Sequence, residues 1–274
     1  MAKERLSLSG KVVAITGGAR GIGKATAKAL VGKGCRVAIG DLDLELAEQT
    51  AAQLGGGTVA LSLDVTDSSS FAHFLDEAER QLGPLDAVVN NAGIMPVTPF
   101  EDESEDSVRR QVEINLLGVI TGTQLAIKRL RPRGRGWIVN IASQAGKGGV
   151  PGIATYSGTK HAVVGLSEAV RAELRDSGVG QKWVKPVEAS DVANEIVDAM
   201  EVPRFDVFVP RANGVLYKIL APLPRSWREA LGRAMKVDKL MTEVDHGARR
   251  AYEERAAASE SSHEEAPAPQ RDAA

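Results

Sequence analysis

Short apolar runs alternate with longer amphipathic stretches along most of the chain. The first runs cover residues 11–16 and 36–41, and between them apolar residues recur at helical spacing from Ile22 to Leu30. The same pattern predicts helices at 44–54, 67–82, 104–130, 154–177 and 190–200, and strands at 58–63, 85–90, 137–142 and 205–210. Strands that alternate regularly with helices predict a parallel, doubly wound α/β sheet.

The pattern divides the chain into three regions. Residues 1–210 hold all the predicted strands and form one domain. Residues 211–258 predict a basic helical extension, which packs on its own subunit or a neighbour, roofs a pocket, or touches a membrane surface through 222–245. The tail, 259–274, is rich in Ser, Glu, Pro and Ala and predicts disorder.

The composition narrows the class of protein. A chain of 274 residues is long enough for one large α/β domain, and a net charge of -2 gives no support for nucleic-acid binding. The single cysteine, Cys35, excludes an intrachain disulfide and fits a reducing compartment. No apolar run is long enough for a signal peptide or a membrane span, so we expect a cytoplasmic location. The four histidines are scattered, and we expect no metal site.

A glycine-rich turn at 17–23 joins the first strand to the first helix. Glycines there let the backbone approach a pyrophosphate, and the helix N-terminus offers it free N–H groups, although a plain tight turn is the alternative. Asp41 ends the second strand, where a carboxylate accepts hydrogen bonds from ribose hydroxyls and repels a 2′-phosphate. This favours NAD over NADP, while Arg20 in the turn favours NADP weakly. Asp41 could instead cap the next helix, as could Asp43.

Polar residues also end the third and fourth predicted strands. Asp64 is placed to contact an adenine or to cap a helix. The small residues of 90–93 would let the chain pass close to a cofactor, or form a simple turn. Asn115 lies inside the long predicted helix, where Asn is unfavourable, and its apolar neighbours indicate that it is engaged in a contact.

Tyr156 and Lys160 are four positions apart and share one helical face. A neighbouring ammonium favours the phenolate and lowers the pKa of a tyrosine from about 10 towards the range useful for general acid–base catalysis. Ser143 follows a buried strand, where its hydroxyl is placed to bind a carbonyl oxygen. The spacing of Tyr156 and Lys160 alone is also common on ordinary solvated helices.

These motifs together resemble the classical branch of the short-chain dehydrogenase/reductase family. The resemblance covers about residues 8–177 and resumes near 185–210. It rests on motifs in the family's order: Thr16-Gly17-Gly18-Ala19-Arg20-Gly21-Ile22-Gly23, Asp64-Val65, Asn90-Asn91-Ala92-Gly93, Asn115, Ser143 and Tyr156-Ser157-Gly158-Thr159-Lys160. It implies a Rossmann-type domain that binds NAD(H) and moves a hydride between nicotinamide and an alcohol or carbonyl substrate.

The resemblance also implies roles for individual residues. Tyr156 would exchange the proton, Lys160 would hold the nicotinamide ribose, and Ser143 would polarise the carbonyl. Asn115 would hold a water in a proton relay. The implied cofactor contacts are Gly17, Ala19, Arg20, Gly21, Ile22, Gly23, Asp41, Asp64, Val65, Asn91, Ala92, Gly93, Tyr156 and Lys160. Family members often form homodimers or homotetramers through the helices that carry Asn115 and Tyr156.

The chain departs from the family pattern after residues 178–180. The family continues with a sixth strand, a Pro-Gly turn and a substrate lid, whereas residues 181–187 look like the segment after that lid. We therefore expect the sixth strand and the lid to be missing near 180/181. Either residues are omitted there, with flanking Cα atoms much farther apart than about 3.8 Å, or the chain is shortened. A shortened chain would favour a nucleotide-binding protein without turnover.

Overall fold

The computed structural model describes residues 6–185, 189–202, 206–208 and 227. The strands are β1 (Val12–Thr16), β2 (Arg36–Asp41), β3 (Val59–Ser62), β4 (Ala87–Asn90), β5 (Gly136–Ile141), β6 (Val179–Lys185) and β7 (Asp206–Phe208). The helices are α1 (Gly21–Val31), α2 (Leu44–Leu54), α3 (Ser68–Leu82), α4 (Glu105–Val112), α5 (Gly118–Leu130), α6 (Ala154–Glu173) and α7 (Ala189–Glu201).

The strands form one parallel sheet in the order β3-β2-β1-β4-β5-β6-β7. Helices cover both faces, which confirms the predicted doubly wound fold. On one face Leu30 of α1 and Ile196 of α7 pack on the sheet, and on the other Phe71 and Phe74 of α3 do so. Strands β1, β2 and β3 extend the sheet to one side, and β4 begins its extension to the other side, so the strand order reverses between β1 and β4. A crevice opens at the carboxyl ends of these two strands, where ligands bind in open α/β sheets.

The sixth strand is present, which corrects the expectation that it is missing. The backbone of 179–184 pairs in register with that of 136–141, and the pairing continues through Gly180 and Gln181 without a break. The parallel edge of β5 has backbone groups that need a partner. The chain leaves α6, turns at Gly178, which has φ +72°, and then pairs with these backbone groups as β6. Only residues 186–188 then separate β6 from α7.

The long helix predicted over 104–130 is interrupted. It consists of α4, a π-helical turn at Glu113–Leu117 and α5. Ser104 caps α4, since its hydroxyl accepts from the N–H of Ser107 at 3.2 Å. The π turn carries Asn115, and such turns occur often at functional sites.

The extension predicted at 211–258, with its proposed membrane-contact stretch 222–245, lies outside the described residues except for Trp227, and so does the tail 259–274. The strand predicted at 205–210 corresponds to β7. In the part of the chain that the structure describes, no helix is long and apolar enough to cross a membrane. The same residues contain no group of three or more His, Cys, Asp or Glu side chains placed to hold a metal ion.

Candidate active site

The glycine turn between β1 and α1 requires glycine for two separate reasons. Gly17 has φ +64°, in the left-handed region that other residues rarely adopt. A Cβ on Gly23 would lie 2.1 Å from the carbonyl oxygen of Gly17, so helix and turn could not approach as they do. The turn therefore brings backbone close to the crevice while α1 begins at Gly21 with its free N–H groups towards the same place.

Asp41 is buried against this turn. Its carboxylate accepts hydrogen bonds from the N–H of Ala19 at 3.0 Å and from the N–H of Asp43 at 3.3 Å. Asp43, and not Asp41, caps α2, because its side chain accepts from the N–H of Leu46 at 3.0 Å. Asp41 thus fixes the glycine turn relative to β2 while its carboxylate lines the cleft.

A cleft of about 400 Å³ lies at the carboxyl ends of β1, β2 and β4. Ten of the predicted cofactor contacts line it: Gly17, Arg20, Gly21, Ile22, Asp41, Asp64, Val65, Asn91, Ala92 and Gly93. The other four, Ala19, Gly23, Tyr156 and Lys160, lie outside its lining. Ala19 and Gly23 are buried behind the turn.

Five further residues, which the sequence did not assign to the cofactor, also line the cleft: Leu42, Leu63, Ile94, Arg110 and Ile114. Arg110 and Ile114 are four positions apart on the helix that leads to Asn115, so they share its cleft-facing side. That spacing was a signal available in the sequence. Leu42 directly follows Asp41 in the sequence, and only this adjacency indicated that it lies in the cleft lining.

Two polar residues at the strand ends have structural partners. Asp64 accepts from the N–H and the hydroxyl of Thr66, at 2.8 and 2.7 Å, in a local turn. It does not cap the next helix, because the cap of α3 is Asp67, which accepts from the N–H of Ser69 at 2.8 Å. Asn91 donates to the carbonyl oxygens of Thr16 at 2.8 Å and Gly17 at 3.0 Å, and so ties the end of β4 to the glycine turn. Both residues still line the cleft.

Asn115 is fully buried and engaged, as its apolar neighbours predicted. Its amide accepts from the N–H of Ile94 at 2.9 Å and donates to the carbonyl of Ile94 at 2.8 Å. It also reaches the hydroxyl of Thr159 on α6 at 3.5 Å. One side chain therefore joins the segment after β4 to the helix that carries Tyr156.

Lys160 is 4 % exposed, and its ammonium lies 5.6 Å from the centre of the Tyr156 ring. The ammonium donates to the carbonyl of Ile141, the last residue of β5, at 2.8 Å. Burial lowers the pKa of Lys160 from 10.5 to about 8, because desolvation disfavours its charged form. A Cβ on Gly93 would lie 3.7 Å from the same nitrogen, so the amine stands at the end of the cleft.

Ser143 follows β5 by two residues and is partly buried. Its hydroxyl accepts from the N–H of Ala145 at 3.2 Å and caps a short 3-10 turn at Gln144–Gly146. The hydroxyl proton is not used in that bond. Ser143 and Lys160 are thus both fixed by the carboxyl end of one strand, with Tyr156 next to the lysine.

A sequence model described as short chain dehydrogenase matches residues 11–199, which is more than half of the chain. The chain belongs to the short chain dehydrogenase family. This confirms the resemblance, and it makes the protein an oxidoreductase of a family that acts on CH–OH groups.

Named relatives of this short chain dehydrogenase share more than a third of the aligned residues. A sorbitol dehydrogenase of Cereibacter sphaeroides is 38% identical over 182 residues, 66% of this chain and 71% of the relative. A 3-alpha-(or 20-beta)-hydroxysteroid dehydrogenase of Mycobacterium bovis is 36% identical over 179 residues, 65% of this chain and 69% of the relative. A 2,5-dichloro-2,5-cyclohexadiene-1,4-diol dehydrogenase of Sphingobium indicum is 38% identical over 182 residues, 65% of this chain and 73% of the relative.

Proposed function

We propose that the protein is an NAD(H)-dependent oxidoreductase in which Tyr156 is the general acid and base for an alcohol–ketone pair. The observation that carries this proposal is the buried ammonium of Lys160, 5.6 Å from the Tyr156 ring at the end of the cleft. A cation held there favours the phenolate, which makes the tyrosine able to accept a proton from an alcohol near neutral pH.

Side chains of the protein transfer the proton and orient the substrate. NAD(H), when bound, supplies or accepts the hydride. In ketone reduction Tyr156 donates its proton to the substrate oxygen, and in alcohol oxidation it removes that proton. Ser143 donates its hydroxyl hydrogen to the same oxygen and polarises the carbonyl. Asn115 and Lys160 form the polar path behind the tyrosine, along which a water can pass protons to solvent.

The cleft fits a dinucleotide. Glycines bring the backbone of the first turn close, α1 directs its N-terminus at the cleft, and a positive N-terminus suits a pyrophosphate. The carboxylate of Asp41 suits ribose hydroxyls and repels a 2′-phosphate, so we propose NAD as the preferred cofactor. Arg20 lines the same cleft and would temper that preference.

The proposed substrate is a small alcohol or carbonyl compound. The relatives' names include a polyol, a hydroxysteroid and a cyclic diol as substrates, so the family resemblance does not choose among these classes. We assign Ile94, Met95 and Val150, which are half-buried, and Gln144, which is exposed, to a largely apolar substrate side, although Ile94 also lines the cofactor cleft. Assembly into a homodimer or homotetramer through α5 and α6 is part of the proposal.

The substitution Tyr156→Phe tests the proposal. It removes the phenolic oxygen, so we expect NADH binding, measured by fluorescence, to stay within about twofold while turnover falls by at least about 100-fold. Gly158→Ala is a matched control, since this exposed position on the same helix has open space around it. Unchanged turnover in Tyr156→Phe would remove the proposed proton donor. The substrate for the assay comes from a screen of alcohols and ketones by NADH absorbance.

A second candidate is a nucleotide-binding protein without turnover. The observation that favours it is the connection of only three residues, 186–188, between β6 and α7, where the family pattern has a Pro-Gly turn and a lid. A measured mass of 29.0 kDa would establish this short connection. NADH binding without turnover of any alcohol or ketone in the screen would then decide for the second candidate.

A further inference from the structure

The carboxylate of Glu103 is held by three side-chain donors from two helices. Its Oε2 accepts from the hydroxyl of Thr155 at 2.6 Å. Its Oε1 accepts from the amide of Gln111 at 2.5 Å and from the hydroxyl of Ser107 at 3.3 Å. Glu103 lies two residues before α4, next to the N-cap Ser104, whereas Thr155 lies in the first turn of α6 and precedes Tyr156. The carboxylate therefore joins the start of one helix to the start of the other.

The contacts of α6 with α4 and the π turn that follows it repeat at a spacing of four residues on both sides. Gln111 and Asn115 are four positions apart, and both are fully buried. Thr155 and Thr159 are also four positions apart, so their hydroxyls lie on one face of α6. Asn115 reaches Thr159 directly, and Gln111 reaches Thr155 through Glu103. Tyr156 lies between the two anchored threonines.

The first turn of α6 carries no negative charge of its own, and besides the bond to Glu103 its Ser157 hydroxyl accepts from the N–H of Val150 at 3.4 Å. Its N-cap residue, Ile153, makes no side-chain cap, and the turn contains no acidic residue. The carboxylate of Glu103 therefore supplies from another element the negative charge that a helix N-terminus favours. The segment 94–103 is also held at its middle, by a backbone hydrogen bond from the N–H of Thr98 to the carbonyl of Gly152 at 2.9 Å.

We propose that Glu103 is a positioning residue for the reaction, which holds Tyr156 in place through the hydroxyl of Thr155. The inference rests on the proposed function of Tyr156 and extends it to a residue outside the cofactor cleft. Asn115 and Lys160 fix α6 one turn further on, and the bond from Thr155 to Glu103 ties the turn that carries Tyr156 to the start of α4.

The test removes the hydroxyl without changing charge or shape. Thr155→Val should lower kcat about tenfold, because a small misplacement of a proton donor slows the chemical step. The Kd for NADH should change less than about twofold. Thr155→Ser keeps the hydroxyl and should restore kcat, while Glu101→Gln, at an exposed carboxylate two residues from Glu103, is the control. The probe reaction is oxidation of sorbitol, or of the best alcohol in the screen.

A double variant checks that both residues act through one bond. Glu103→Ala should lower kcat in the parent protein and have no further effect in Thr155→Val. Additive losses would contradict the inference, as would parent-like kcat in Thr155→Val or failure of Thr155→Ser to restore it. A fall in kcat that merely follows a general loss of thermal stability would contradict it as well.

Hydrogen–deuterium exchange gives a second result that does not require turnover. Exchange of the peptide 150–160 should rise in Thr155→Val and stay at the parent level in Thr155→Ser, with the peptide that covers β1 unchanged in both. If the parent protein turns over no substrate, the proposed function fails, and exchange alone decides whether Glu103 holds this turn. Unchanged exchange in Thr155→Val would overturn the inference whatever the kinetics.

Discussion

The buried amine of Lys160 leads to a prediction about stability and pH. The folded protein holds this amine at 4 % exposure with one carbonyl acceptor, Ile141, and burial lowers its pKa from 10.5 to about 8. In the unfolded chain the pKa returns to 10.5. Between these values the unfolded state binds the proton more tightly, so the free energy of unfolding rises with pH. The burial penalty is complete below pH 8 and is gone above pH 10.5.

The size of the effect follows from the two pKa values. A difference of about 2.5 pH units corresponds to about 3 kcal/mol, of which about 2 kcal/mol should appear between pH 7 and pH 9.5. Cys35 acts in the opposite direction, because burial raises the pKa of its thiol from 9.0 to about 11, so its contribution is lost as pH rises through this range. The parent protein alone would therefore show only the net change.

The variant Lys160→Met isolates the lysine, since Cys35 is common to both proteins. Urea unfolding followed by circular dichroism gives the free energy of unfolding at each pH. We expect the parent to gain about 2 kcal/mol relative to Lys160→Met from pH 7 to pH 9.5. A difference between the two proteins that stays constant within about 0.5 kcal/mol would refute the reasoning. It would mean that the amine is hydrated or paired in the folded state.

Three further predictions concern the cofactor turn and the buried thiol. Asp41→Ala should raise the ratio of kcat/KM for NADP over NAD at least about tenfold, because a repelling carboxylate is lost, and an unchanged ratio would contradict the repulsion argument. Gly23→Ala should weaken NADH binding and lower the free energy of unfolding by about 3 kcal/mol, because the new Cβ would lie 2.1 Å from a backbone oxygen. Gly165→Ala, in open space on α6, should instead raise the free energy of unfolding by about 1 kcal/mol; urea unfolding measures both changes. Cys35 should resist an aromatic disulfide reagent at pH 8 in the folded protein and react fully after unfolding, and fast labelling of the folded protein would show that the thiol is accessible.

The parts of the site that the sequence predicted depend on local spacing. A glycine turn between a strand and a helix, and a tyrosine with a lysine four positions later, keep their geometry wherever the elements pack. The cleft lining therefore contains most of the predicted cofactor contacts, and Lys160 lies beside Tyr156. Asn115 was found for a related reason, because a polar residue among apolar neighbours in a helix needs a partner.

The parts that the sequence did not predict depend on contacts between distant segments. Glu103 and Thr155 are 52 positions apart, and neither has a spacing that indicates the other. The π turn at 113–117 likewise depends on tertiary contacts, since Asn115 must reach both Ile94 and Thr159. The helical spacing of apolar residues across 104–130 does not indicate the extra residue that the π turn accommodates.

The error at β6 shows why spacing counted from a family pattern can mislead. That pattern assigns residues 181–187 to the segment after the lid, so the strand before the lid looked absent. A doubly wound sheet, however, cannot leave the edge of β5 unpaired beneath α6 and α7 without exposing backbone groups. The first stretch after Gly178 therefore becomes β6, and three residues, 186–188, connect it to α7. The sheet therefore keeps β6 between β5 and β7, and β5 ends at Ile141, whose carbonyl holds the amine of Lys160 beside Tyr156.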